Sequence, residues 1–175
     1  MELNRKSLFL AQLIKEAGQI NSETKLAKML CYVEKERGIK TGFTFDKNHK
    51  HGNYSFEVKE EINNLVKEGL IKFNVEKSAG YWGDEIKIHK FLATEKLKNI
   101  DLPLNDKEKF AVRSIYREYS TFTPKEIEEY DHAVYRHNKT RTDVESKKYS
   151  LQKTKELIAK HKGDEKAALE EWLSE

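Results

Sequence analysis

The spacing of apolar residues predicts two amphipathic helices in the first 38 residues of the chain. In both segments, apolar side chains recur three and four positions apart, so that they fall on one face of a helix. The first helix covers residues 3–17 and ends at Gly18, which can adopt a positive φ without a steric clash. The second begins at Asn21 or Ser22, either of which can accept a hydrogen bond from the first turn, and it ends at Gly38.

The pattern changes after the second helix. Alternating apolar residues between Ile39 and Phe45 indicate a short strand or an extended segment, and a polar, basic loop follows over residues 46–53. His49 and His51 in this loop have the spacing of two metal ligands. Zinc requires three or four ligands, and the other His residues are scattered, so a solvated loop is the favoured interpretation and no metal site is predicted.

The stretch from Gly52 to Leu92 predicts a helix followed by a β-hairpin. The helix is expected over residues 54–68, capped by Asn53 or Ser55, and Gly69 ends it. Two alternating strands then flank a turn that contains glycine. Helix followed by hairpin is the second half of a winged helix-turn-helix. The expected buried stripe of the helix is Val58, Ile62, Leu65 and Val66.

The sequence pattern after Leu92 predicts helices. A short helix is expected over residues 94–99, a second after Asn105 or Asp106, and a third at Thr123, where Thr, Pro and Glu occupy the positions of a capping box. A long helix over about residues 143–161 and a final amphipathic helix complete the pattern.

The predicted fold is therefore α+β and mainly helical. It has a winged helix-turn-helix-like core with a two- or three-stranded β-hairpin wing and a C-terminal helical extension. The expected domains are residues 1–100, winged-helix-like, and residues 101–175, a helical extension that either packs with the first as one unit or projects from it.

Composition narrows the class of protein. Only 37% of the 175 residues are hydrophobic and 36% are charged, with a net charge of +3. Cys31 is the single cysteine, so no internal disulfide can form, and we interpret it as a small buried hydrophobe. No apolar run approaches 18 residues and the start does not resemble a signal peptide. The expectation is a soluble, cytoplasmic protein that does not associate with membranes.

Three stretches resemble the Panacea (SocA-like) antitoxin family and the related YwgA-like proteins. They are the helix segment Lys25–Tyr32, the turn Gly52–Ser55 with the helix after it, and Phe122–Ile127 followed by His132. Asn53 stands where the family usually has proline, and Cys31 interrupts its usual Leu-Tyr pair. The resemblance spans roughly residues 22–135. It implies a helical, winged-helix-like domain that neutralises a toxin, acts as an adaptor or regulates genes on mobile elements, without a catalytic residue.

The helix and wing suggest a regulator that binds double-stranded DNA. A recognition helix presents Lys, Arg, Asn or Gln to the major groove. Against this, residues 54–69 carry four Asp/Glu and only two Lys/Arg, an excess that would repel phosphate. The candidate contacts are Lys59, Asn63 and Lys67 on the helix, with Lys77, Lys87 and the ring of Tyr81 or Trp82 on the wing.

A second candidate DNA surface lies near the C-terminus. Residues 136–162 carry nine Lys/Arg against three Asp/Glu, together with Tyr149, a combination typical of phosphate contact with stacking. A solvated helix face explains the same charge run. The candidate contacts here are Arg136, Lys139, Arg141, Lys147 and Lys148.

The alternative function is a protein–protein interaction module, such as an antitoxin or adaptor that neutralises or delivers a toxin-like partner. Trp and Tyr are favoured interface anchors. A homodimer built through the C-terminal helices is also plausible, since the last helix is acidic and the preceding one basic. The candidate partner-binding residues are Tyr81 and Trp82 on the wing and Leu169, Trp172 and Leu173 on the last helix.

Enzymatic activity is not predicted. The sequence contains no Gly-rich phosphate loop, no Ser/His/Asp spacing and no HExxH motif, and no cofactor is expected. Asp131 and His132 beside His137 could orient a general base, but an Asp next to a His on a helix is usually structural.

Overall fold

Residues 2–46, 49, 52–80 and 83–136 are described by the computed structural model. They form an α+β structure that is mostly helical, with a small antiparallel sheet. In chain order the elements are α1 (Arg5–Ala17), β1 (Gln19–Ile20), α2 (Glu23–Arg37), α3 (Glu57–Lys67), β2 (Ile71–Ala79), β3 (Glu85–Ala93), α4 (Glu95–Asn99), α5 (Asp106–Tyr119) and α6 (Pro124–Asp131).

The first compact unit of the chain ends at Asp131. Of the second unit, which begins at His132, the structure describes one π-helical turn, His132–Arg136. The predicted helices over residues 143–161 and at the C-terminus lie outside the described residues.

Most helix ends follow the predicted local signals. Gly18 ends α1 and Gly38 ends α2, both at positive φ, and the Ser22 side chain accepts from Lys25 N at the start of α2. Asn105 forms a capping box at the start of α5, and Thr123 exchanges hydrogen bonds with Glu126 at the start of α6.

The sheet has the strand order β1-β3-β2, and all pairs are antiparallel. Ile20 of β1 lies opposite Phe91 of β3, and Phe91 in turn lies opposite Phe73 of β2. Phe91 is buried, whereas every residue of β2 after Ile71 is exposed. The hairpin is therefore anchored at its base and extends away from the core.

The core lies between the helices. Helix α5 packs against α1 and α2, and α6 packs against α2. Tyr119 of α5 donates to Glu36 of α2 at 2.8 Å and lies 3.0 Å from the Tyr130 hydroxyl of α6, so one carboxylate links three helices. Cys31 is fully buried, as expected, and burial raises the pKa of its thiol to about 12.

Two details of α3 differ from the prediction. The helix begins at Glu57, after Phe56, and neither Asn53 nor Ser55 caps it, because Asn53 is bound elsewhere. Val66 is 39% exposed and lies outside the buried stripe, whereas Glu61 is only 5% exposed. Glu61 tolerates burial because side chains of α1 and its N-cap donate to its carboxylate.

No strand forms between Ile39 and Phe45. The segment is extended, and the Glu34 side chain accepts from both the backbone N–H and the hydroxyl of Thr41, at 2.8 and 2.6 Å. An isolated bridge pairs Asp46 with Tyr54 across the loop that follows. The extended alternative is thus the one observed, and the Glu34 side chain satisfies the polar groups of Thr41 without a sheet partner.

Neighbouring residues of α3 should respond differently to truncation. Leu65 is fully buried and Val66 is 39% exposed. We expect Leu65→Ala to lower the free energy of unfolding by about 2–5 kcal/mol, because it leaves a cavity. Val66→Ala is expected to cost about 0.5 kcal/mol or less. Urea denaturation of both variants measures the difference, and equal costs would contradict this assignment of the stripe.

Candidate nucleic-acid interface

The loop that leads into α3 is held by a buried carboxylate. Asp131, the last residue of α6, is 1% exposed. Its carboxylate accepts from the backbone N–H of Asn53 at 2.8 Å, from the Asn53 side-chain amide at 3.0 Å and from the Tyr32 hydroxyl at 3.2 Å. Asp131 therefore joins α6, α2 and the loop before α3.

Lys28 of α2 completes this buried cluster. Its side chain is fully buried, and Nζ donates to Asp131 Oδ2 at 3.1 Å and to the backbone carbonyl of Asn53 at 2.7 Å. Burial lowers the pKa of the Lys28 ammonium, and the charge of Asp131 opposes that shift. Because both backbone polar groups of Asn53 are bound inside the core, the residue four positions before α3 is fixed in place.

Side chains of α1 and its N-cap hold α3 on its other side. Lys6 pairs with Glu57 at 2.6 Å, and the Glu57 carboxylate also accepts from Thr44 N at 2.7 Å. The hydrogen bond from Lys6 lowers the pKa of Glu57 below its ordinary value. Glu61, one turn later, accepts from the Asn4 side chain at 3.0 Å and from the Ser7 hydroxyl. Two of the four carboxylates of residues 54–69 are thus engaged with α1 and its N-cap.

The outward face of α3 has a different balance of charge. Lys59, Asn63 and Lys67 are exposed and recur four positions apart, so they lie on one face. The remaining carboxylates, Glu60 and Glu68, are exposed as well. The exposed side of the helix therefore carries two ammonium groups and two carboxylates. It does not have the acidic excess that a count along the sequence gives.

The hairpin brings two of the candidate lysines together. Lys77 of β2 and Lys87 of β3 are directly opposite each other in the ladder, so both side chains lie on one face of the sheet. Lys77 also pairs with Glu85 at 3.1 Å. Both lysines are exposed. The hairpin thus offers two cations to an anionic partner.

The other candidate residues divide into two groups. Arg136 is exposed at the end of the π-helical turn. The rest lie outside the described residues: Tyr81, Trp82, Lys139, Arg141, Lys147, Lys148, Leu169, Trp172 and Leu173.

Sequence reasoning missed the cluster around Asp131. One signal was present, since Lys28 is the single charged residue in the otherwise apolar segment from Leu26 to Val33. A lysine at such a position, on a helix whose every residue from 26 to 33 is buried, needs a buried acid. The acid could not be identified from spacing, because Asp131 is 103 residues away.

Comparisons with protein-family models, curated proteins and solved structures found no match for this chain. The resemblance to the Panacea and YwgA-like proteins therefore stays a prediction. Within the described residues there is no group of three or more His, Cys, Asp or Glu side chains arranged to hold a metal ion. None of the described helices is long and apolar enough to span a membrane.

Removing Asp131 should destabilise the protein strongly. We expect Asp131→Ala to lower the free energy of unfolding by about 3–5 kcal/mol, because it removes the carboxylate that lies 3.1 Å from the buried Lys28 ammonium. Asp101→Ala is the matched control: Asp101 is 90% exposed and pairs with Lys109, so its loss should cost about 0.5 kcal/mol or less.

The double variant Lys28→Met/Asp131→Ala separates charge from packing in the same denaturation experiment. It should be more stable than Asp131→Ala alone, because it removes the buried ammonium together with the carboxylate that balanced its charge. A cost below about 1 kcal/mol for Asp131→Ala would show that the cluster does not hold the fold together.

Proposed function

We propose that this chain is a non-enzymatic regulatory protein that binds double-stranded DNA through α3 and the β2–β3 hairpin. The order α1-β1-α2-α3-β2-β3, with a sheet in the order β1-β3-β2, supports this proposal, because a winged helix has the same order of elements. In that arrangement α3 is the helix that enters the major groove, and the hairpin is the wing that contacts the flanking backbone.

The connection between α2 and α3 differs from an ordinary helix-turn-helix. There the two helices are joined by three or four residues, whereas here residues 38–56 intervene. A connection of that length would leave α3 free to adopt several positions. The Asp131 cluster and the Lys6–Glu57 pair hold both sides of the helix start, which supports a fixed α3.

The observation that carries the proposal is the direction of the α3 side chains. Glu57 and Glu61 are bound on the side of α1, and Lys59, Asn63 and Lys67 are exposed. An Asn side chain can make two hydrogen bonds to adenine in the major groove, and lysines supply phosphate contacts. Lys77 and Lys87 would add two phosphate contacts from the wing.

The dependence of affinity on salt tests this surface. We expect the protein to bind a random-sequence duplex at low salt and to lose affinity steeply as salt rises. Lys59→Ala/Lys67→Ala should weaken binding and reduce the slope of log K against log salt by about 1.8, since each lost phosphate contact removes about 0.9. Fluorescence anisotropy measures both quantities.

The control is Lys107→Ala/Lys125→Ala, which removes the same charge from exposed positions on α5 and α6. It should leave the slope unchanged. An equal effect of both double variants would mean that only net charge matters. The DNA contact would instead lie in the C-terminal basic segment if Lys147→Ala/Lys148→Ala lowered the affinity for DNA and the α3 variant did not.

One observation favours the alternative function of a protein–protein interaction module. Phe73, Val75 and Ile86 on the hairpin are 43%, 46% and 46% exposed, and apolar groups of this kind often mark a protein contact. Absence of binding to duplex DNA at low salt would exclude the DNA proposal and leave this module, with a toxin-like protein as the kind of partner that the sequence resemblance implies.

A further inference from the structure

Strand β2 lies at one side of the three-stranded sheet. Gly80 N donates to Asp84 O at 2.6 Å, which makes the neighbouring Ala79–Glu85 pair a non-hydrogen-bonded one. Because pairs alternate along an antiparallel ladder, the even-numbered residues of β2 bond to β3 and the odd-numbered ones point their N–H and C=O groups outward. Among the described residues, no strand pairs with this edge.

This edge lacks several features that usually protect a free strand. β2 contains no proline, and its pairing with β3 runs from Ile71 to Ala79 without a bulge. Phe73 and Val75 on the same strand are 43% and 46% exposed. A nine-residue edge with exposed apolar side chains is suited to pairing with another strand.

We propose that the occupant of this edge is β2 of a second copy, paired antiparallel about Asn74. In this register Phe73 of each copy lies opposite Val75 of the other, and both residues have outward-facing backbone groups that can exchange hydrogen bonds. On the other face, Lys72 of each copy lies opposite Glu76 of the other. Two apolar pairs and two opposite-charge pairs thus form from one segment.

The two neighbouring registers form no opposite-charge pairs within β2. Pairing about Val75 places Phe73 opposite Lys77 and Glu76 opposite Asn74. Pairing about Phe73 brings Phe73 opposite Phe73 and Ile71 opposite Val75, but it places Lys72 opposite Asn74. Neither register brings Lys72 opposite Glu76. The Glu76 carboxylate also pairs with Lys90 at 2.5 Å within its own chain, yet its side chain stays 57% exposed and accessible to a second lysine.

The result is a symmetric dimer with a six-stranded sheet in the order β1-β3-β2-β2-β3-β1. The proposed pairing shares β2 with the proposed DNA contact and places Lys77 opposite Ile71 of the other copy. Its tests use Lys72, Asn74 and Glu76, which the DNA proposal does not use. The outward side chains of α3 are not involved. Either proposal can fail while the other holds.

Charge reversal in the 175-residue chain tests the register by sedimentation equilibrium. Lys72→Glu and Glu76→Lys should each weaken the dimer about tenfold, because two attractive pairs become repulsive. The double variant Lys72→Glu/Glu76→Lys should restore the wild-type dissociation constant. A mixture of the two single variants should form heterodimers in preference to either homodimer, since every cross-chain pair between them is again opposite in charge.

Crosslinking provides a second readout of the register. Asn74 faces Asn74 of the other copy in a non-hydrogen-bonded pair, where Cα atoms lie about 4.5 Å apart, within disulfide range. Asn74→Cys should therefore form a disulfide-linked dimer under mild oxidation. The control Lys72→Cys should not, because position 72 faces position 76. The natural Cys31 is fully buried and should not interfere.

Three results would overturn the proposal. A wild-type chain that stays monomeric up to about 200 µM, where the binding free energy would be weaker than about −5 kcal/mol, does not pair through this edge. A dimer whose dissociation constant is unaffected by either charge reversal is built elsewhere. Equal crosslinking of the cysteine variants at 72 and 74 would exclude the register about Asn74.

Discussion

The arrangement of the domain depends on the buried pair of Lys28 and Asp131. The two residues are 103 positions apart in the sequence, and Asn53, bound to both, lies between them along the chain. Moving two charges out of water costs desolvation free energy. This cost is offset only when the pair is close and its remaining hydrogen-bonding groups are satisfied. Here the Asn53 backbone and side chain and the Tyr32 hydroxyl supply those bonds. One polar cluster thereby fixes α2, α6 and the entry to α3 relative to one another.

This anchorage bears on the proposed DNA contact, because it decides which side chains of α3 are exposed. The helix binds α1 and its N-cap with Glu57 and Glu61 and leaves Lys59, Asn63 and Lys67 exposed. A count of charges along the segment gives a net acidic helix, which would be repelled by DNA. On the exposed side of α3, the numbers of positive and negative side chains are equal. The proposed DNA contact depends on this difference between linear charge and exposed charge.

Local signals in the sequence predicted the helix ends well. Gly18, Gly38, Ser22, Asn105 and Thr123 act within four residues of themselves, so their roles can be inferred from the neighbouring sequence.

Features that depend on distant partners could not be predicted in the same way. Strand β1 is two residues long and exists because Gln19 and Ile20 pair with β3, some 70 residues later. The burial of Lys28 and Glu61 contradicts the rule that charged residues face water, and it is explained only by partners 103 and 54 or more residues away. The exposure of Val66 follows from the same packing, since Glu61 takes a position in the stripe of α3 that faces α1.

The proposed DNA surface combines α3 with the hairpin, and lysine footprinting of the full chain with and without a random-sequence duplex at low salt tests it most directly. In this method an amine-reactive reagent modifies accessible lysines, and mass spectrometry locates them. The account predicts protection by DNA at Lys59, Lys67, Lys77 and Lys87 and none at Lys107 and Lys125. Protection confined to lysines beyond residue 136, or protection at no lysine, would contradict it.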